Sequence, residues 1–141
     1  MSRVRAPSGL RQQVEARAHG LCEYCRSPSQ IATHAFSLEH IIPRDQGSTD
    51  ELDNLALACQ GCNNHKYIKT RARDPVSKRL VPLFHPRRQT WAEHFAWHDD
   101  GIHLIGLTAT GRATVEALQL NRERLLNLRR FLAANNWPLP Q

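Results

Sequence analysis

Cys22, Cys25, Cys59 and Cys62 form two Cys-x-x-Cys pairs separated by a 33-residue insert. Each such turn can present two thiolates to one ion, so the four together describe a tetrahedral zinc site. A redox pair would use one turn and leave the other idle. Between and just after the pairs lie groups that a structural zinc site does not need: Glu39, His40, Asn54, Asn63, His65 and Lys66. Carboxylate, imidazole and amide oxygen are the set required for metal-assisted hydrolysis of a phosphodiester, which needs a base for water and oxygen ligands for a hard divalent ion. If the cysteines meet at one ion, the intervening chain is pinned into a loop whose inner face can gather these groups.

The elements that must position them are legible in outline. Ser8 can cap a helix running to about Ala18, with Leu10, Val14 and Ala18 on one face and Gly20 ending it. Ala35 to Ile42 reads as a strand stopped by Pro43, and Asn54 to Ala58 as a second, with Gly47 and Ser48 in the loop between them. A helix is expected from Cys62 or Asn63 to about Arg73, ended by Asp74 and Pro75. Leu80 to Arg88 holds two prolines and should run extended. Phe95 to Leu107 alternates around Asp100-Gly101 and predicts a hairpin with Phe95, Trp97, Ile102, Leu104, Ile105 and Leu107 on its buried faces. Two helices should follow, Arg112 to Leu120 and Arg122 to Ala134, the second capped by Asn121 and apolar along Leu125, Leu128 and Leu132, with Pro138 to Gln141 disordered.

A chain of 141 residues with 40% hydrophobic and 23% charged residues suits one folded α+β domain over 1–141 and excludes wholesale disorder. Its core should span about 8–74, with a supporting hairpin and helices over about 75–137. No apolar stretch approaches the roughly 20 residues of a membrane span. Arg3, Arg5, Arg11, Glu15 and Arg17 interrupt the first segment, so no signal peptide is visible and the cytoplasm is the expected location. Nineteen basic against 13 acidic residues give a net charge of +6. The excess is concentrated between Lys66 and Arg88, where Asp74 is the only acid, a pattern suited to nucleic acid.

The segments CEYC, LEHIIP, GSTDELDNLALAC and CQGCNNHK, in that order and spacing, resemble the HNH endonuclease family over roughly Leu21 to Lys69. The downstream VPLFHPR and GLTATGRATVEALQLNR stretches resemble small bacterial, notably cyanobacterial, members. The resemblance implies a ββα-metal core, in which a two-stranded ribbon and a helix hold one catalytic divalent ion, Mg2+ or Mn2+, while the cysteines hold a separate structural zinc. It implies His40 as general base, Asn54 as the residue that orients it, and Glu39 and Asn63 as metal ligands, with His65 an added or replacement ligand. Lys66, Lys69, Arg71, Arg73, Arg87 and Arg88 would contact nucleic acid. The implied activity is hydrolysis of DNA phosphodiesters, one strand per site, with double-stranded DNA as partner. The rival reading is a noncatalytic zinc-ribbon module that grips nucleic acid through the Arg-rich segment.

Overall fold

The computed structural model describes residues 8–46 and 51–141, in two compact units, one ending at Asn63 and the other beginning at Asn64. The turn expected at Gly47 and Ser48, and the Ser8 side chain, lie outside the described residues. The fold is α+β, with five α-helices and three two-stranded antiparallel hairpins among the described residues. No helix is long and apolar enough to cross a membrane among those residues.

In the first unit, α1 (Ser8–Arg17) buries Val14, and Ala18 just after it is buried too. The chain then turns through His19 and Gly20, both at positive φ. Gly20 N–H donates to the Glu15 carbonyl and His19 N–H to that of Ala16, a Schellman ending that delivers the chain to Cys22. The ribbon pairs β1 (Ser37–His40) with β2 (Leu55–Ala58), and Ser37, Leu38, Glu39 and His40 face Ala58, Leu57, Ala56 and Leu55. All four β2 residues are buried, as expected for an apolar run covered on both faces. Two arginines of α1 fasten it to the ribbon. Arg11 donates to the Phe36 carbonyl at 2.9 Å, and Arg17 to those of Leu52 and Leu55 at 2.9 and 2.6 Å.

From the second Cys-x-x-Cys turn the chain enters α2 (Gln60–Lys66). The helix is shorter than expected. It stops where Tyr67 adopts a left-handed backbone, and Arg71 to Arg73, expected to be helical, form β3 (Arg71–Arg73) paired with β4 (Leu80–Pro82). Long-range pairing has overridden the helical tendency of the arginines, which no local pattern announces.

The second unit is organised around a buried aspartate. Asp74 follows β3, its carboxylate accepts from the Val76 and Ser77 N–H groups, and Arg112 donates to both of its oxygens at 2.9 Å. Arg112 lies on α4 (Ala109–Ala117), which starts three residues earlier than expected because Thr108 caps it by accepting from Gly111 N–H at 3.0 Å. The short α3 (Trp91–His94) leads into β5 (Phe95–Trp97), which pairs with β6 (Leu104–Gly106), the hairpin expected around Asp100-Gly101. Gly111 allows α4 to approach closely, since a Cβ there would stand 2.1 Å from the His94 carbonyl oxygen.

The hairpin buries Phe95 and Leu104, whereas Ile105 and Leu107 are exposed, against expectation, because alternation turns them away from Leu104. Asn121 is not a cap. Its side chain accepts from Leu104 N–H at 2.8 Å and donates to the Leu104 carbonyl at 2.9 Å, and α5 (Glu123–Ala134) begins after Arg122. Leu125 is buried and Leu128 and Leu132 half-buried along the same helix. Arg129 lies among them, donating to the carbonyls of Leu120 and Ile102 and sitting 5.1 Å from the Trp97 ring. At the terminus expected to be disordered, the Trp97 indole donates to the Pro140 carbonyl at 2.8 Å.

Asp74→Asn is expected to lower the melting temperature at neutral pH. The Arg112 guanidinium holds the Asp74 carboxyl well below the usual carboxylate range. The stability it adds is therefore complete above the unfolded value of about 4 and is lost as pH falls through the folded value, so the gap between parent and variant should close on acidification. Circular dichroism melts over this range measure it, and a gap independent of pH would contradict the pairing.

Candidate metal centre and active site

The four sulfurs converge. Their Sγ atoms lie within 4.8 Å of one another, with Cys25 and Cys59 at 3.7 Å. Tetrahedral zinc with bonds of about 2.3 Å sets sulfurs about 3.8 Å apart, so the donor set fits that ion. The local backbone fits as well. Cys25 N–H points to Cys22 Sγ at 3.5 Å and Cys62 N–H to Cys59 Sγ at 3.4 Å, while Arg26 takes the left-handed conformation that turns the first knuckle. Buried thiols at this spacing cannot all ionise unaided. Burial pushes Cys22 up and hydrogen bonding with Cys22 pushes Cys62 up, whereas Cys59 is drawn down by hydrogen bonds from the other three. For Cys25, burial is outweighed by the hydrogen bonds from its neighbours, and its thiol is also low. A divalent cation removes that competition by favouring all four thiolates at once.

The ribbon carries the second group. On β1, Glu39 shares a face with Ser37, and His40 points to the opposite one with Leu38. Glu39 is 4% exposed, and its Oε1 accepts from the Tyr24 hydroxyl at 2.6 Å. Burial, together with the Glu39 charge, holds the Tyr24 phenol well above its usual range and keeps it a donor. His40 is the last residue of β1 and is partly exposed. Directly beyond it Asn54 locks the backbone: its Oδ1 accepts from Ile42 N–H at 2.9 Å, its Nδ2 donates to the Ile42 carbonyl at 3.1 Å, and its own carbonyl accepts from Ile41 N–H at 2.9 Å.

Helix α2 faces the Glu39 side of the ribbon. Asn63 Nδ2 lies 3.5 Å from Ser37 Oγ, and Gln60 donates to the same hydroxyl at 3.1 Å and to the Ala35 carbonyl at 2.8 Å. Glu39 and Asn63 thus offer a carboxylate and an amide oxygen from facing elements, and these hard donors suit Mg2+ or Mn2+. The four thiols are the one group of three or more His, Cys, Asp or Glu ligands that converges among the described residues.

The remaining residues singled out in the sequence belong to the second unit. His65 is half-buried, and its carbonyl accepts from Lys69 Nζ at 2.8 Å. Lys66 is 1% exposed and so offers no charge to the surface. Lys69, Arg71, Arg73 and Arg88 are exposed and Arg87 is half-buried, Arg73 donating to the Lys78 carbonyl at 2.6 Å. Sequence reasoning missed Glu23 and Tyr24, although both lie inside the CEYC knuckle. It also missed Ser37, whose two-residue spacing from Glu39 was the available signal.

A hairpin and helix joined to a four-cysteine centre define a ββα-metal type of module, and comparison with known proteins agrees. Residues 22–69 match the family described as HNH endonuclease. A 57-residue stretch is 40% identical to the CRISPR-associated endonuclease Cas9 of Corynebacterium diphtheriae, covering 40% of this chain and 5% of that much longer protein. No solved structure matches.

The purified protein is expected to contain one zinc per chain. Structural zinc contributes on the order of 10 kcal/mol in small domains, so a strong chelator or Cys59→Ser should abolish cooperative folding of the first unit. Elemental analysis and circular dichroism check this; unchanged spectra after complete chelation would remove zinc from the fold.

Proposed function

We propose that the protein is a metal-dependent endonuclease that hydrolyses phosphodiester bonds of double-stranded DNA, one strand at each encounter. One observation carries this reading: within the HNH-family segment, β1 ends on Glu39 and His40 beside the Asn54 lock, with Asn63 against the Glu39 face of the ribbon. The name of the matched relative, an endonuclease, points the same way.

In this reading His40 accepts the proton of the attacking water, and Asn54 fixes the turn that holds the His40 backbone. Glu39 and Asn63 would hold Mg2+ or Mn2+, and the bound ion would supply positive charge to the phosphoryl group and the departing 3′ oxygen. The products carry 5′-phosphate and 3′-hydroxyl ends. Lys69, Arg71, Arg73, Arg87 and Arg88 attract the phosphates, and a single site of this kind cuts one strand.

Supercoiled plasmid with Mg2+ or Mn2+ tests the reading, and nicked circles should precede linear product. His40→Ala should lose about 100- to 10,000-fold in rate, roughly 3 to 5 kcal/mol of transition-state stabilisation, with zinc content and melting retained. Cleavage by this variant at the parent rate would overturn the assignment. DNA binding without cleavage by the parent at any divalent ion would favour the noncatalytic zinc-ribbon module. The affinity of His40→Ala for duplex DNA should fall with salt, and adding Arg71→Ala and Arg73→Ala should reduce the log-log slope by about one unit per arginine. An unchanged slope would remove the β3 arginines from the interface.

A further inference from the structure

The two residues between the first pair of cysteines both reach away from the sulfurs and into the ribbon. Glu23 N–H donates to the Leu57 carbonyl at 2.8 Å and Glu23 Oε2 accepts from Leu57 N–H at 2.8 Å, so this knuckle is bonded to β2 through both backbone groups of one residue. Tyr24 crosses to the other strand and donates its hydroxyl to Glu39 Oε1 at 2.6 Å, both side chains being buried. A short hydrogen bond to a carboxylate oxygen is among the stronger contacts in a protein interior, and it restrains the position of that oxygen. Cys22 and Cys25 flank this pair directly, so the torsions that place the phenol are those that place two sulfurs.

We propose that Tyr24 is a positioning residue for Glu39, through which the four-cysteine centre sets the geometry of the divalent-ion site. The proposal rests on the reading of Glu39 as a ligand of that ion. It makes the zinc knuckle part of the support of the active site: with Oε1 held by Tyr24, the other carboxylate oxygen is the one left to meet an ion. Residues that orient a metal ligand from behind typically change metal affinity about 10- to 100-fold when removed. A tyrosine that merely fills the core would give no such effect on replacement by phenylalanine, which keeps the ring and loses only the hydroxyl.

The test uses the zinc-loaded full chain. Mn2+ binding is measured by electron paramagnetic resonance of the free ion for the parent, Tyr24→Phe and Glu39→Gln, with zinc content and melting followed in parallel. Tyr24→Phe should keep its zinc, bind Mn2+ about 10- to 100-fold more weakly, and shift the Mn2+ concentration for half-maximal plasmid cleavage by the same factor, with a smaller change in the rate at saturation. Parent-like Mn2+ affinity in Tyr24→Phe, alongside weak binding in Glu39→Gln, would overturn the positioning role and leave Glu39 as ligand. Parent-like affinity in Glu39→Gln would overturn the reading on which the proposal rests.

Should Tyr24→Phe lose zinc or unfold, 3-fluorotyrosine provides a second measurement. The chain has two tyrosines, Tyr24 and Tyr67, so Tyr67→Phe leaves one label. Its 19F resonance should move on Mg2+ titration, and Glu39→Gln should abolish the movement. A resonance indifferent to saturating Mg2+ would overturn the proposal.

Discussion

The first unit depends on the convergence of four thiols on one point. Cys22 and Cys25 follow the end of α1, and Cys59 and Cys62 join β2 to α2, so one ion held at this point would weld two segments far apart in sequence. A unit of this size buries too little apolar surface to be secure without such a staple. The ribbon lies between those segments in sequence, and such a weld would fix its ends. Glu23 and Tyr24 extend it to both strands, and the arginines of α1 hold the strands from the other side.

Elsewhere polar side chains take over the work of missing secondary structure. Asn54 and Asn121 use the same device in different units, each bonding both the N–H and the carbonyl of one backbone residue, Ile42 and Leu104. Asp74 and Arg129 act similarly in the second unit, one gathering turn amides and a guanidinium, the other gathering carbonyls. Irregular backbone can be buried only when its polar groups are satisfied, which is why a chain with such short strands carries so many buried polar residues.

The ribbon end sets a geometric constraint on the proposed active site. Regular alternation sends Glu39 and His40 to opposite faces, so a long flat strand could not serve one centre with both. Here β1 stops at His40, and the Asn54 lock turns the following backbone. Glu39 remains on the face of Ser37, which Asn63 approaches, while His40 is partly exposed on the opposite face. The proposed chemistry therefore has to reach both residues from beyond the end of the strand.

Covalent spacing and short-range turn chemistry were legible in the sequence: the paired cysteines, the ending of α1, the two strands between the cysteine pairs and the hairpin at Asp100-Gly101. The residues of the candidate site were legible as a set of donor types, but not their grouping. Which side chains meet depends on register and on partners distant in the chain, and nothing near Arg71 announces that it will pair with Pro82 rather than continue a helix. The same holds for Asn121, whose local pattern is that of a cap, and for Tyr24, whose local pattern is that of a spacer. Sequence by itself determined that four sulfurs would seek one ion and that oxygen and imidazole donors lay between them, because ligand spacing is a local property. Only the tertiary structure decided that the spacer between two sulfurs would grip Glu39, because that hydrogen bond exists only after the strands have found their register.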